Sequence, residues 1–253
     1  MDLNYIYSFN NCSCKEKWSE IPYPGMFKPH DGIDPSANSW PLYFLKRHPD
    51  GSFCTLLGQK ILFDIENPNT VDFYAELEEV KYVQNNLTCN QEGMAKFWGA
   101  GVPSQQWSPI FLELFTAYNV TPPKSARILS CLQNAMNDAF VITWLYKYYW
   151  DAARPCQLDR NLETAVPTPI FPTYPSGHSV VSATIEVVLS YFFPNEYPAI
   201  NEMVEDASIS RLYGGIHFRS DLSEGLKLGR QIGQICVDYL KTQHEIDYLI
   251  CRD

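Results

Sequence analysis

Beyond residue 70, apolar side chains return at three- and four-residue steps, the spacing that lays a continuous stripe along an α-helix. Helices are expected over residues 70–86, from Thr88 as N-cap to Trp98, over 109–118, and from Thr121 as N-cap to about residue 150. Three more are expected over 177–192, 197–212 and 222–240. Gln91, three residues after Thr88, completes a capping box, and Pro122 suits a first helical position. Before residue 70 this period is missing. Pro, Asn, Asp and Gly are frequent there, and the turn signal His48-Pro49-Asp50-Gly51 separates apolar runs at 40–45 and 53–57, which predicts a β-hairpin. The expected fold is all-α: a helical bundle over residues 71–253 with an irregular, partly β N-terminal segment over residues 1–70.

Composition narrows this picture. A chain of 253 residues with 45% hydrophobic content predicts one large domain, or one with an appendage. A net charge of −10 argues against nucleic acid and anionic membrane surfaces as partners. The cleanest apolar stretches, 139–146 and 187–193, fall short of the about 18–20 residues of a membrane span, so no membrane insertion is expected. Met1-Asp2-Leu3-Asn4 lacks the basic start and apolar core of a signal peptide, which makes a cytoplasmic location and reduced thiols the expectation. The cysteines, at 12, 14, 54, 89, 131, 156, 236 and 251, match no zinc-binding spacing. Sequons at Asn11, Asn86 and Asn119 carry little weight without export, and a homo-oligomer stays open.

Chemistry enters through three segments of the C-terminal half. The first is Lys147 with Arg154-Pro155; the second is Tyr174-Pro175-Ser176-Gly177-His178; the third is Ser210-Arg211 with His217 and Asp221. Arg154 and Arg211 offer planar forks of N–H donors that match a tetrahedral oxoanion, and Lys147 adds a point charge. Ser176 reads as an N-cap, so the first-turn N–H groups behind it form an anion site, and Gly177 lets an oxyanion approach the main chain. His178 lies in that turn and can move protons near neutral pH. Asp221, four residues after His217, can hold one imidazole nitrogen and leave the other free as a nucleophile or ligand. Singly, these are a basic helix end, a helix cap and a surface pair. Their conjunction describes a pocket for an anion of two or three negative charges.

Together the segments resemble the signature shared by type 2 phosphatidic acid phosphatases, bacterial class A acid phosphatases and vanadium-dependent haloperoxidases. The resemblance extends over residues 97–233, and no member of the core set departs from the pattern. It implies the helical bundle of the acid phosphatase/vanadium haloperoxidase type. It further implies that Lys147, Arg154, Ser176, Gly177 and Arg211 hold phosphate or vanadate. By the same resemblance His217 bonds to phosphorus or vanadium, and His178 does acid–base work.

Local features lean toward the haloperoxidases. Met136-Asn137-Asp138-Ala139 through Trp144 to Lys147 is similar to the segment before the first motif in vanadium chloroperoxidases. Phe171-Pro172-Thr173-Tyr174 is also similar to that branch, in which the residues matching Trp144 and Phe171 line a halide pocket. Arg219, two after His217, points the same way, whereas Ser220-Asp221 follows the phosphatase habit. The resemblance therefore implies a vanadate-dependent enzyme acting on peroxide and halide. An acid phosphatase acting on phosphate esters through a phosphohistidine stays open, as does a non-catalytic phosphate-binding module. Paired His178 and His217 with Asp221 favour an enzyme, because binding alone needs donors but no acid–base pair.

Overall fold

The computed structural model describes residues 14–243. Their helices are α1 (Phe73–Asn85), α2 (Cys89–Gly99), α3 (Pro103–Ala117), α4 (Pro122–Trp150), α5 (Pro155–Leu158), α6 (Gly177–Phe192), α7 (Tyr197–Tyr213) and α8 (Arg219–Lys241). A small antiparallel sheet, β1 (Leu45–Arg47), β2 (Phe53–Thr55) and β3 (Lys60–Ile61), precedes them. The fold is thus the helical one expected, with the β1–β2 hairpin turning through Gly51 at φ 87°. Strand β3 was not expected, because two residues are too short to show alternation.

Two helix starts differ from expectation. α3 begins at Pro103 rather than at residue 109, and Pro109 lies inside it. Either proline suits a first turn, and the sequence pattern pointed to the wrong one. The helix tolerates Pro109, which has no N–H to donate, while Trp107 and Phe111 are fully buried. α8 begins at Arg219 rather than at 222. Asp221, in its first turn, reaches back 2.8 Å to accept the Phe218 N–H, adding a turn of polar sequence that apolar periodicity cannot register. The four-residue α5 was missed for its brevity.

Helix α6 is the axis of the bundle, buried on nearly every face, with α4, α7 and α8 packed around it. Its approach to α8 depends on Gly225, Gly229 and Gly233, spaced four apart along one ridge. A Cβ at these positions would lie 2.7 Å from Ser179 Cβ, 2.8 Å from Ala183 Cβ and 2.7 Å from Val187 Cβ respectively.

The N-terminal segment shares the helices' core, Phe44, Leu45 and Phe53 joining Ile142 and Leu145. It is pinned to α4 by Asp138, a fully buried carboxylate accepting the Tyr43 N–H at 2.9 Å and the Phe44 N–H at 2.7 Å. Asp151, the left-handed C-cap of α4, accepts the Ser19 N–H at 3.1 Å.

Among the described residues no helix is long and apolar enough to cross a membrane. Cys14, Cys54, Cys89, Cys131, Cys156 and Cys236 are free thiols. Cys12, Cys251 and the Asn11 sequon lie outside the described residues.

Candidate active site

Five helix ends converge at one pole of the bundle. α4 carries Lys147 in its last turn, Arg154 is the N-cap of α5, and Ser176 is the N-cap of α6. Arg211 sits in the last turn of α7, and His217 precedes α8. Lys147, Arg154, Ser176, Arg211, His217 and Asp221 are all buried, and His178 is partly exposed. Cations in a protein interior demand an explanation from their partners.

Those partners are mostly main-chain oxygens. Lys147 Nζ donates to the carbonyls of Pro172 at 2.8 Å and Thr173 at 2.7 Å, which leaves one of its three N–H groups. Arg154 donates from Nε to the Phe171 carbonyl at 2.9 Å and from Nη1 to the Ile216 carbonyl at 2.7 Å. Its buried Nη2 has no hydrogen-bond partner among the described residues. Arg211 donates to the Ser210 hydroxyl at 2.9 Å and the Ala95 carbonyl at 2.8 Å. Burial lowers all three pKa values; repulsion from Arg154 adds to the effect at Lys147 and at Arg211, which falls to about 10. The electrostatics therefore favour a bound anion.

His217 lies among these cations. Its Nε2 is 3.0 Å from Arg154 Nη1, and its Nδ1 is 2.8 Å from Asp221 Oδ2 and 3.0 Å from the Thr173 hydroxyl. Burial and then Arg154 hold its pKa well below the usual value, so the ring is neutral. Burial raises Asp221 to about 6. His178 donates from Nε2 to the Trp98 carbonyl at 2.8 Å, which leaves Nδ1 as its acceptor. Burial, followed by Arg211, lowers His178 to about 3. An anion beside it would raise that value.

The start of α6 is open. The Ser176 hydroxyl accepts the Ser179 N–H at 3.3 Å, and the Ser176 N–H is spent on the Asp221 carbonyl at 2.9 Å. A Cβ built on Gly177 would meet nothing nearer than Trp144 Cζ3, at 3.9 Å, so packing does not require glycine there. Beside this turn lies a cavity of 390 Å³, mainly apolar, whose lining includes Trp144, Phe171, Gly177, His178 and His217. The Trp144 and Phe171 rings meet at 4.9 Å. Lys147 Nζ and the Arg154 guanidinium lie 5.1 Å and 5.0 Å from the Phe171 ring centre.

Lys147, Arg154, Ser176, Gly177, His178, Arg211, His217 and Asp221, with Trp144 and Phe171, are thus all at this pole. Arg219 alone turns away, forking onto Glu79 of α1 with its closest contact at 2.6 Å. Two contributions escaped sequence reasoning. One is Thr173, whose neighbours in sequence carried the only signal. The other is the N-terminal wall of the cavity, Ile33, Asp34, Ala37 and Trp40, held where Trp144 Nε1 and the Tyr148 hydroxyl donate to the Ile33 carbonyl at 3.1 and 2.8 Å.

The PAP2 superfamily model matches residues 128–245, which carry Lys147, Arg154, Ser176, His178, Arg211, His217 and Asp221. Residues 128–245 belong to the PAP2 superfamily. Solved structures extend the likeness beyond the PAP2 region. A bacterial vanadium-dependent iodoperoxidase is 27% identical, with a TM-score of 0.69 over 93% of this chain and 63% of its own. The chain therefore spans less than two thirds of that protein. The holo-type bacterial vanadium-dependent chloroperoxidase shares the fold at 14% identity, with a TM-score of 0.68 over 95% of this chain and 69% of its own. A transmembrane PAP2-type phosphatidylglycerolphosphate phosphatase from Bacillus subtilis shares it at 18% identity, with a TM-score of 0.53 over 67% and 86%. No curated protein matches the chain. The PAP2 fold here thus has both haloperoxidases and phosphatases among its structural neighbours.

Proposed function

We propose that this protein is a vanadate-dependent haloperoxidase, catalysing the oxidation of a halide by peroxide. The observation that carries the proposal is the juxtaposition of a cationic oxoanion cradle with an apolar aromatic cavity. Two features fit vanadate to the cradle. The partnerless Arg154 Nη2 supplies buried donors that an oxoanion would satisfy, and the open space at Gly177 lets one reach the α6 N-terminus. Lys147, Arg154, Arg211 and the Ser176–Gly177 turn would hold the oxygens, and the neutral His217 would be the ligand. Vanadate, when bound, supplies the activation of peroxide toward the halide.

The chain's own groups do the rest. Asp221 and Thr173 hold His217 Nδ1, so its other nitrogen faces the cradle side, beside Arg154. The free Nδ1 of His178 takes up or returns a proton. Trp144 and Phe171 provide an apolar wall on which a weakly hydrated halide can rest.

A phosphatase reading is favoured by one property of the same cradle. Donors arranged for a five-coordinate oxoanion are also complementary to a phosphoryl transition state, and His217 would then be the nucleophile. A non-catalytic binding role is disfavoured, because simple binding would not need the Asp221–His217 pairing. The deciding experiment runs two assays side by side: halide oxidation with vanadate and peroxide, and phosphomonoester hydrolysis without vanadate. Halide oxidation that falls more steeply than ester hydrolysis in Phe171→Ala supports the proposal. Robust hydrolysis with no halide oxidation by the wild type would place the protein with the phosphatases.

A further inference from the structure

We infer that Thr173 is a positioning residue that fixes the ring state and orientation of His217, an inference resting on the proposed role of His217 as the ligand or nucleophile. Thr173 is fully buried in the segment between α5 and α6, and three groups of the site meet on it. Its carbonyl accepts Lys147 Nζ at 2.7 Å. Its hydroxyl donates to Asp221 Oδ2 at 2.5 Å and lies 3.0 Å from His217 Nδ1. Its own N–H is tied to the Ala152 carbonyl at 3.0 Å, which fixes the residue behind α4.

Proton counting gives this arrangement its meaning. A threonine hydroxyl has one hydrogen and two lone pairs. The hydrogen goes to the carboxylate, so the oxygen turns a lone pair toward the imidazole. Nδ1 then faces two acceptors, Thr173 Oγ1 and Asp221 Oδ2, and must carry the proton. Arg154 Nη1, a donor with nothing to accept, faces Nε2 at 3.0 Å and requires a lone pair there. Both sides of the ring demand the same tautomer, with Nε2 as the electron-rich atom.

Thr173 also restrains Asp221. Among the described residues all hydrogen bonds to the Asp221 carboxylate fall on Oδ2, from Thr173, His217 and the Phe218 N–H, and the buried Oδ1 has no partner. Without the threonine hydroxyl the carboxylate would be held only by the Phe218 N–H and His217, so the oxygen that accepts Nδ1–H would be less firmly placed.

The cleanest test compares Thr173→Ser with Thr173→Ala, since both lose the methyl and only serine keeps the hydroxyl. Turnover is measured with whichever activity the wild type shows. Proton and nitrogen NMR of the His217 ring runs alongside, on protein without added substrate. The serine variant should stay close to wild type. The alanine variant should lose about ten- to a hundredfold in kcat with KM little changed, as when one charge-assisted hydrogen bond is removed. Its hydrogen-bonded Nδ1–H signal should broaden or exchange faster, and serine should restore it. Alanine and serine variants equal in both readouts would overturn the inference. If the wild type shows neither activity, the functional proposal falls, and the ring signal alone decides the part played by Thr173.

Discussion

Gly177→Ala sets the stability of the fold against the affinity of the site. Gly177 opens α6 and is not in the left-handed backbone region, so alanine is sterically allowed. The added Cβ would have only Trp144 Cζ3 near it, at 3.9 Å, an ordinary van der Waals contact. Alanine also restricts the unfolded chain, so stability should rise by about 0.4–1 kcal/mol. For a domain of this size that is a Tm gain of about 1–4 °C. The same methyl group would stand where an oxoanion must approach the helix N-terminus. Loss of one charge-assisted hydrogen bond, about 1.5–3 kcal/mol, weakens binding by about tenfold or more. Thermal melts and titration calorimetry with phosphate measure the two effects separately. A raised Tm with weakened phosphate binding is the expected pair. Unchanged affinity would show that the space at Gly177 is not part of the anion site, and a lowered Tm would refute the packing argument.

Gly229→Ala should do the opposite on stability, since its Cβ would press on the Val180 carbonyl oxygen and lie 2.8 Å from Ala183 Cβ; overpacking of this kind costs about 1–3 kcal/mol or more, read from urea denaturation at unchanged m-value. The pH dependence of anion binding reports on His178. Its pKa of about 3 lies below the ordinary 6.5, and a neighbouring dianion raises it, so binding takes up a proton between those values. Affinity for sulfate, which does not itself titrate there, should rise as pH falls from about 6.5 toward 4. Asp221 titrates in the same window, and the slope that disappears in His178→Gln is the part due to His178; an unchanged slope would refute its place beside the anion.

Much of the helical fold was legible because burial imposes its period on sequence. α4 and α6 carry their caps and apolar faces openly, from Thr121 to Trp150 and from Ser176 to Phe192. The candidate site residues stood out for the converse reason: Arg, Lys and His have no use in an apolar core, so their recurrence in short motifs calls for another explanation. What failed to show is local in sequence but decided by tertiary contact. The α8 start depends on a carboxylate reaching back to Phe218, and the α6–α8 approach on three glycines whose purpose appears only against Ser179, Ala183 and Val187. Thr173 looks like any loop threonine until His217 and Asp221 are brought to it from 44 and 48 residues away. The N-terminal wall was invisible because Ile33 is placed by hydrogen bonds from Trp144 and Tyr148 to its carbonyl, which carry no side-chain signal at position 33.

In the proposed function one cradle of Lys147, Arg154, Arg211, the Ser176–Gly177 turn and His217 takes a single tetrahedral oxoanion. Equilibrium competition between vanadate and phosphate tests it most directly, followed by titration calorimetry on the wild type, Arg154→Gln and Arg211→Gln. Phosphate should displace vanadate one for one, and each substitution should weaken both anions by at least about tenfold. Simultaneous binding of the two anions, or wild-type affinity in both variants, would contradict it.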